Sequence, residues 1–545
     1  MRTSTLFLLS VLPLISSAQW TTPDQNTAVR VGPTATPLSA PGPDGSTYVV
    51  WFDNTGGYEL RMQRLDVDGN RLWQTEGLLV SGEPQNSALF RYDFKSDHAG
   101  NAIVAFQDER TGTLDIVAYK VSPSGEMLWG EGLELPTPES TGLAPVIGVL
   151  EDDRTVIAWN TDRSPSTVAY QVIPATGVPT LGAPTEITAA ATLGRPRVVP
   201  CADGGFWMQW VQQSGNFLSP GTLMAERYDA AGAAVPGTNG AVSTKTISGF
   251  YFPEPIPDGH NGFYVAFNTG NDANESLTNI HVQRKRADGS VWSAAGTPVE
   301  TGTGTQRYTQ SATPALIDDQ AGLMLGYSRT NIGQSEGGIA VQRLDTAGNR
   351  QLGPEGVLVV ASTPELPSPF ANRSTGNGLL NTWTIGGFNA QTMLAMQLDL
   401  SGEPTGPNPL SSISTVSSGK DDATLTPIRD GQAVAVWQDE RAAGGVYAQR
   451  VLVDGANSIG EHHPQLFQVI TTAHGDAELL VLETVPAHTR LRISDAAGRT
   501  AIDRRTGAVP SGGRIAARAD QLAPGAYVIE LITSDRRSVV RWVKP

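Results

Sequence analysis

A chain of 545 residues, 39% hydrophobic and 7% aromatic, is long enough for several domains or one large repeat array with a true core. Its net charge of −16 excludes a nucleic-acid binder, because phosphate contacts need clustered Lys and Arg. A single cysteine, Cys201, excludes an intrachain disulfide and a thiolate metal cluster, while 59 glycines and 37 prolines demand many turns, as a β-rich chain does.

The N-terminus, MRTSTLFLLSVLPLISSA (Met1–Ala18), carries one positive charge at Arg2, an apolar run Leu6–Ile15, and small residues at Ser16 and Ala18. This is the pattern of a signal peptide, residues 1–18, cleaved before Gln19. A short membrane anchor is the competing reading, but the apolar run is about half of the ~20 residues a spanning helix needs. No other stretch is long or apolar enough for a transmembrane helix.

From Gln19 onward the chain repeats. Trp51, Phe106, Trp159, Trp210, Phe267, Tyr327, Trp383 and Trp437 each end an apolar stretch, at intervals of 55, 53, 51, 57, 60, 56 and 54 residues. A second landmark keeps step with them: a polar or aromatic residue and then a turn glycine, as in Gln63/Gly69, Tyr119/Gly125, Gln283/Gly289, Gln342/Gly348 and Gln449/Gly455. A Trp often follows that turn, as in DVDGNRLW (Asp66–Trp73) and ADGSVW (Ala287–Trp292), and leads to a short apolar run such as Gly77–Val80. Each unit therefore holds about four short strands. The aromatic strands are almost continuously apolar, which suits strands buried on both faces between stacked sheets.

Four-stranded units of this kind cannot hide two apolar faces alone, and radial stacking covers both. The fold class predicted for residues 19–458 is an all-β propeller of about eight ~55-residue repeats. Eight blades are favoured, and seven result if Ser243–Thr301 or Thr301–Val360 is irregular; an open solenoid is the structural alternative. The last unit stops after its Gln strand, near Asp454, whereas Asn26–Gly32 (NTAVRVG) has no partner of its own. This N-terminal strand is predicted to complete the last blade.

Gln-Asp-Glu-Arg occurs twice, at Gln107–Arg110 and Gln438–Arg441, each time after the aromatic strand. Weaker echoes stand at the same place: Phe52-Asp53-Asn54, Asn160-Thr161-Asp162-Arg163 and Ser328-Arg329. A structural corner, with the acidic side chain accepting turn N–H groups and the Arg paired to it, is the favoured reading. A ring of carboxylates and arginines at one mouth is the functional alternative.

Beyond Gly455 the landmarks stop. Alternation in Arg490–Ile493, Ala526–Leu531 and Ser538–Val543 predicts a small antiparallel β-sandwich at residues 459–545. Three features occur there together: the Asp495–Gly498 turn after an apolar strand, a Leu522-x-Pro524-Gly525-x-Tyr527 hairpin, and a basic-apolar end at Arg541–Lys544. On these residues the segment resembles the type A sorting domain of the type IX secretion system. It departs in having Glu461-His462-His463-Pro464 where the family has a Tyr-Pro-Asn-Pro-like opening. The resemblance implies the type IX secretion machinery as a partner and passage via the periplasm through the outer membrane. The protein is then released, or attached to surface polysaccharide.

Few residues carry recognisable chemistry. The seven histidines, His98, His260, His281, His462, His463, His474 and His488, form no metal spacing, and no nucleophile elbow or phosphate loop is present. Asp66-Val67-Asp68-Gly69-Asn70 offers several oxygens for Ca²⁺ but lacks the distant bidentate Glu of a helical calcium loop. Cys201 reads as a buried bystander. The Asp-x-x-Gly turns followed by Trp resemble the Asp-box of sialidase propellers loosely, with a different Gly-to-Trp spacing. No catalytic, cofactor or metal residue is assigned. The expectation is a secreted or cell-surface, non-catalytic propeller that binds a surface glycan or protein or serves a structural role; the alternative is a secreted glycoside hydrolase or sialidase-like enzyme.

Overall fold

All eight aromatic markers are buried, none more than 3% exposed, and each lies in the second strand of a repeated antiparallel unit. The computed structural model describes residues 19–544 except 55–56, 84, 86–90, 111, 136, 138–139, 177–180, 216–218, 220, 248–252, 270–278, 302–306, 312–313, 319–321, 406–409, 454–466, 472–476, 483, 488, 496–499 and 534–536. Contacts divide the chain into Met1–Ser458 and Ile459–Pro545. Met1–Ala18, His462, His463, His474 and His488 lie outside the described residues.

The first unit sets the pattern, with strands in the order Thr34–Pro41, Thr47–Asp53, Glu59–Leu65 and Leu78–Ser81 across the sheet. The first strands of successive units are Thr34–Pro41, Asp93–Ser96, Gly142–Val149, Thr192–Pro200, Ile256–Pro257, Ala315–Asp318, Ser368–Ser374 and Lys420–Leu425. Each touches the next, and Lys420–Leu425 touches Thr34–Pro41, so their contacts close on themselves. These are the inner strands of a β-propeller. The middle units are the least regular: Ile256–Pro257 and Thr297–Pro298 are two-residue strands, and the fourth and fifth sheets join through Ile247 and Thr269.

Why the units must stack is visible in one strand. Val49 and Trp51 point one way and pack with Val29, Val434, Val436 and Val446 of the last unit, while Tyr48, Val50 and Phe52 point the other way to Phe94, Val104 and Phe106 of the second. Comparable apolar clusters fill the space between every later pair of neighbours. At about 25 cal/mol per Å² of apolar surface removed from water, both faces contribute and neither is dispensable.

The N-terminus latches the ring. Thr27–Val31 pairs antiparallel with Gly445–Leu452, from Thr27 opposite Ala448 to Val31 opposite Gly445, and supplies the missing outer strand. The replacement extends to side chains. Within ordinary units the Gln marker bridges forward to a later carbonyl, Gln63 Nε2 to Gln74 O at 2.8 Å and Gln283 Nε2 to Ser293 O at 2.7 Å. Gln449 finds that acceptor at Thr21, 2.9 Å away. Trp292 donates to Thr346 O of the next unit at 2.9 Å, over Gly348; Trp20 likewise donates to Val67 O at 2.7 Å, over Gly69. Both glycines have φ near +80 to +90°, and a Cβ on either would meet the indole ring.

The C-terminal unit consists of two antiparallel sheets. One holds Phe467–Thr471, Ala477–Val481 and Arg514–Ala516; the other holds Thr500–Arg505, Arg490–Asp495, Gly525–Ile532 and Arg537–Lys544, in that order. Phe467, Leu479, Leu491, Ile493, Ile529 and Trp542 share its core. The segment expected to be a Leu522–Tyr527 hairpin instead leads into a central strand, with Tyr527 Oη donating to Ala523 O at 2.8 Å; that strand, Gly525–Ile532, pairs antiparallel with Arg537–Lys544. Pro524 has no N–H to give a ladder, which suits a lead-in rather than a paired turn strand. Lys544 Nζ fixes that lead-in by donating to the carbonyls of Ala519, Asp520 and Leu522.

Candidate functional site

The repeated corner is spent on structure. Asp108 and Asp439 have no exposed side-chain surface. Arg110 grips Asp108 and also donates to Tyr119 Oη at 3.0 Å. Asp439 accepts from Arg441, Ser418, Trp437 and Lys420 at 2.6 to 3.0 Å, and the Arg441 guanidinium lies 4.0 Å over the Tyr447 ring. Burial pushes the Asp439 carboxyl up, and the donors from Arg441, Ser418 and Trp437 more than reverse this, holding it well below the usual carboxylate range. Asp53, the echo in the first unit, is buried against Arg30 at 3.0 Å.

The Gln of the same motif reaches into the next unit. Gln107 Oε1 accepts from Ala144 N at 3.1 Å, and Gln438 Oε1 accepts from Thr36 N at 3.2 Å across the ring's seam. Asn160 Oδ1 plays the same part for Arg195 N at 3.0 Å. Thr36, Ala144 and Arg195 sit in β-bulges of inner strands, with φ of 47, 51 and 56°. Asp422 occupies an equivalent bulge at φ 47°. Non-glycine residues seldom adopt this region; the interrupted ladder holds it at all four positions, and a corner amide helps at Thr36, Ala144 and Arg195.

These bulges ring a cavity of about 1100 Å³ lined largely by inner strands, Thr36, Ala144, Arg195 and Asp422 among them, with Arg91 and Glu254 from the segments leading into two of those strands. Its charged lining is Arg91, Lys95, Arg195, Arg197 and Arg373 against Asp93, Glu254 and Asp422, five positive less three negative, in a chain of net charge −16. Glu254 is the hub. Its side chain keeps 58% of its surface exposed because it stands in a lumen, yet protein surrounds it, and Arg197 Nη2 lies 3.4 Å away. Burial raises its carboxyl, and Arg197, Lys95, Arg91 and Arg373 together bring it below its ordinary value. Burial lowers Arg373 to about 10, against the pull of Glu254. Arg195 is lowered by burial alone. Asp422 moves the other way, raised by burial and by Asp421 against Arg91.

Other candidates fall elsewhere. The Asp66 carboxylate accepts from the N–H groups of Asp68 and Asn70 at 2.9 and 2.8 Å and from Asn70 Nδ2 at 3.0 Å, so its lone pairs close their own turn. The turns at Asp345 and Asp97 are built the same way. Among the described residues no three His, Cys, Asp or Glu side chains group to hold a metal. Cys201 is 1% exposed, and burial pushes its thiol up to about 11. His98 pairs with Asp153 at 2.8 Å, and His281 stacks on Phe267.

Sequence reasoning passed over the lumen. A signal existed: Thr36, Arg91, Ala144, Arg195 and Asp422 each stand fifteen residues before the aromatic marker of their unit, as 51 less 36 shows for the first. Pro37, Pro145 and Pro196 follow three of them, the mark of an interrupted ladder.

No family model and no curated protein matches the chain. Among solved structures, puromycin hydrolase is 14% identical with a TM-score of 0.42, over 76% of this chain, which spans 59% of that one. An ulvan lyase bound to -[GlcA(1-4)Rha3S]- is 10% identical with a TM-score of 0.43, covering 79% of this chain and 96% of that one. Penicillium chrysogenum alpha-L-arabinanase complexed with arabinobiose is 14% identical with a TM-score of 0.34, covering 59% and 97%. At these scores the likenesses carry no inference about activity. No helix of the described residues is long and apolar enough to cross a membrane.

Proposed function

We propose that the chain is an exported, non-catalytic binding module: an eight-bladed propeller whose central lumen takes a ligand, carried by a C-terminal type IX sorting domain. Residues 1–18 would direct it to the periplasm, and residues 459–545 would engage the secretion machinery and deliver it to the medium or the outer surface. The observation that carries the binding reading is the fate of the corner carboxylates. Asp108 and Asp439 are consumed by Arg110, Arg441 and Lys420 inside the sheets, whereas the lumen is an open concave site. The test is a glycan and peptide binding screen on the purified mature protein, run beside assays for released product. Binding that saturates without turnover is expected, and product release that tracks the protein through purification would overturn the reading. Deleting 459–545 is expected to leave the propeller in the periplasm; undiminished export without it would sink the sorting role.

One observation favours the hydrolase alternative. Glu254 and Asp422 line the same cavity with carboxyls displaced in opposite directions, the arrangement that separates a base from an acid. That reading requires glycosidase activity that disappears in both Glu254→Gln and Asp422→Asn.

A further inference from the structure

We propose that the lumen recognises a ligand bearing two or more oxyanion groups (carboxylate, sulfate or phosphate), with Arg197 and Lys95 as its ligand-facing cations and Glu254 as an internal competitor for the same charge field. The inference rests on the binding reading above and names its ligand class.

Three distant parts of the sequence bring the cations together: Arg91 and Lys95 from the second unit, Arg195 and Arg197 from the fourth, and Arg373 from the seventh. In a chain with a strong negative surplus, five cations around three carboxylates in one cavity run against the overall charge. A lumen with low-dielectric walls focuses such a field on whatever enters. The residual charge of the lining, five less three, is matched by a dianion and only half matched by a monoanion.

The donors are of two kinds. Arg373 gives Nε to Thr426 O at 3.1 Å, Nη1 to Asn372 O at 2.8 Å and Nη2 to Leu425 O; it is a fixed charge that also ties two units together. Arg197 is different. Its Nη1 meets only its neighbour's carbonyl, Pro196 O at 3.0 Å, its Nη2 makes a long 3.4 Å contact to Glu254, and its buried Nε has no hydrogen-bond partner. A buried donor without an acceptor is costly, and a guanidinium fork offered to a planar or tetrahedral oxyanion resolves that cost with two parallel bonds. Lys95, half exposed and 3.2 Å from Asp93, adds an ammonium to the same lining. Burial depresses both Arg195 and Arg373. The cavity, about 1100 Å³, is far larger than a single sulfate, so the charges are to be sought on one multi-group ligand.

The experiment is calorimetric titration of the full mature protein with citrate, pyrophosphate and a sulfated disaccharide, with maltose as the neutral control. At least one oxyanion probe is expected to bind with an affinity that falls as salt rises, and maltose is expected not to bind. The preferred probe assigns the oxyanion. Arg197→Gln and Lys95→Gln should each weaken binding about tenfold or more, and Glu254→Gln should tighten it about tenfold, as charge-assisted bonds lost and gained. The opposite sign of Glu254→Gln means that a misfolded variant cannot imitate the full pattern. Failure of every oxyanion probe, or affinities unmoved by all three substitutions, would overturn the proposal. A neutral saccharide that binds regardless of these substitutions would overturn oxyanion recognition yet leave the binding module standing. Turnover of a bound probe would overturn the non-catalytic reading while the same affinities still judged the oxyanion site.

Discussion

Replacing Trp20 with Ala tests whether the N-terminal segment is the ring's latch. Trp20 is half-buried, packed on Gly69 and against the cluster of Val29, Val49, Trp51 and Val446, with its indole N–H on Val67 O. A core Trp→Ala change costs about 3–5 kcal/mol, so half-burial suggests about 2, and the lost hydrogen bond adds about 1. Thermal melting is a poor readout of these ~3 kcal/mol. At about 2.1 cal/mol/K per residue, unfolding residues 19–458 carries ~0.9 kcal/mol/K, and Tm would fall by only about 3 °C. Local opening is the sensitive quantity. If Trp20 holds the seam, Gly445–Leu452 loses protection when Thr27–Val31 detaches, and its amides should exchange about a hundredfold faster. Trp292→Ala is the matched control, since Trp292 makes the same contact with Thr346 and Gly348 inside the chain. It should accelerate exchange near its own unit and leave Gly445–Leu452 protected. If both variants loosen Gly445–Leu452 equally, or neither does, the latch argument is wrong.

Gln107→Ala leaves the Ala144 N–H without its acceptor and should lower the denaturant midpoint by about 1–3 kcal/mol equivalent; Gln438→Ala should do the same at Thr36, and the double variant should be additive because the two interfaces share no partner. Asp439→Asn strips buried Lys420 and Arg441 of their counter-charge and should cost about 3–5 kcal/mol at neutral pH. Because the Asp439 carboxyl is depressed on folding, its contribution is present above the unfolded value near 3.9 and is lost as pH falls from there toward the folded value. Acid titration of stability should therefore be shallower below about pH 4 in the variant than in the parent; equal slopes would remove Asp439 as the cause. Native Cys201 should resist a thiol reagent at pH 8 and react only as the fold opens, so labelling that outpaces global unfolding would contradict its burial.

Much of the ring was written in plain sight. Strands buried on both faces need unbroken apolar runs, so Tyr48–Trp51 and Ala433–Trp437 announced themselves, and turns that require positive φ left glycines at Gly69 and Gly348. The latch was legible because the last unit lacked a strand that the N-terminus had to spare. Its side-chain detail was not. Trp20 and Thr21 complete a pattern whose other members, such as Trp292 and Gln283, lie in one unit, whereas theirs is divided between the two ends of the chain. The lumen was hidden for a different reason. Inner strands carry a bulge, and one extra residue inverts the alternation that tells inward from outward. Without the bulge's position, Arg195 and Arg197 in GRPR (Gly194–Arg197) cannot be placed on a face, and Glu254 before Pro255 reads as a loop residue.

The recurring corner and the charged lumen are two results of one device. Gln107, Gln438 and Asn160 hold only the backbone N–H of the bulge residue in the next inner strand. They place no demand on its side chain, and at those positions the chain carries Ala144, Thr36 and Arg195. The fourth bulge, at Asp422, and the matching residue Arg91 extend the variety to both signs of charge. A lock that reads backbone alone lets the lumen's lining differ from unit to unit while the ring stays closed. Stability is thus assigned to the repeated residues, and on the proposed binding reading ligand choice would fall to the positions where the repeat is free to differ. Exchanging Ala144 for Arg should therefore strengthen oxyanion binding with little loss of stability, because the N–H bond to Gln107 does not depend on the side chain. A large drop in the denaturant midpoint, with binding unchanged, would show that lock and lining are not separable.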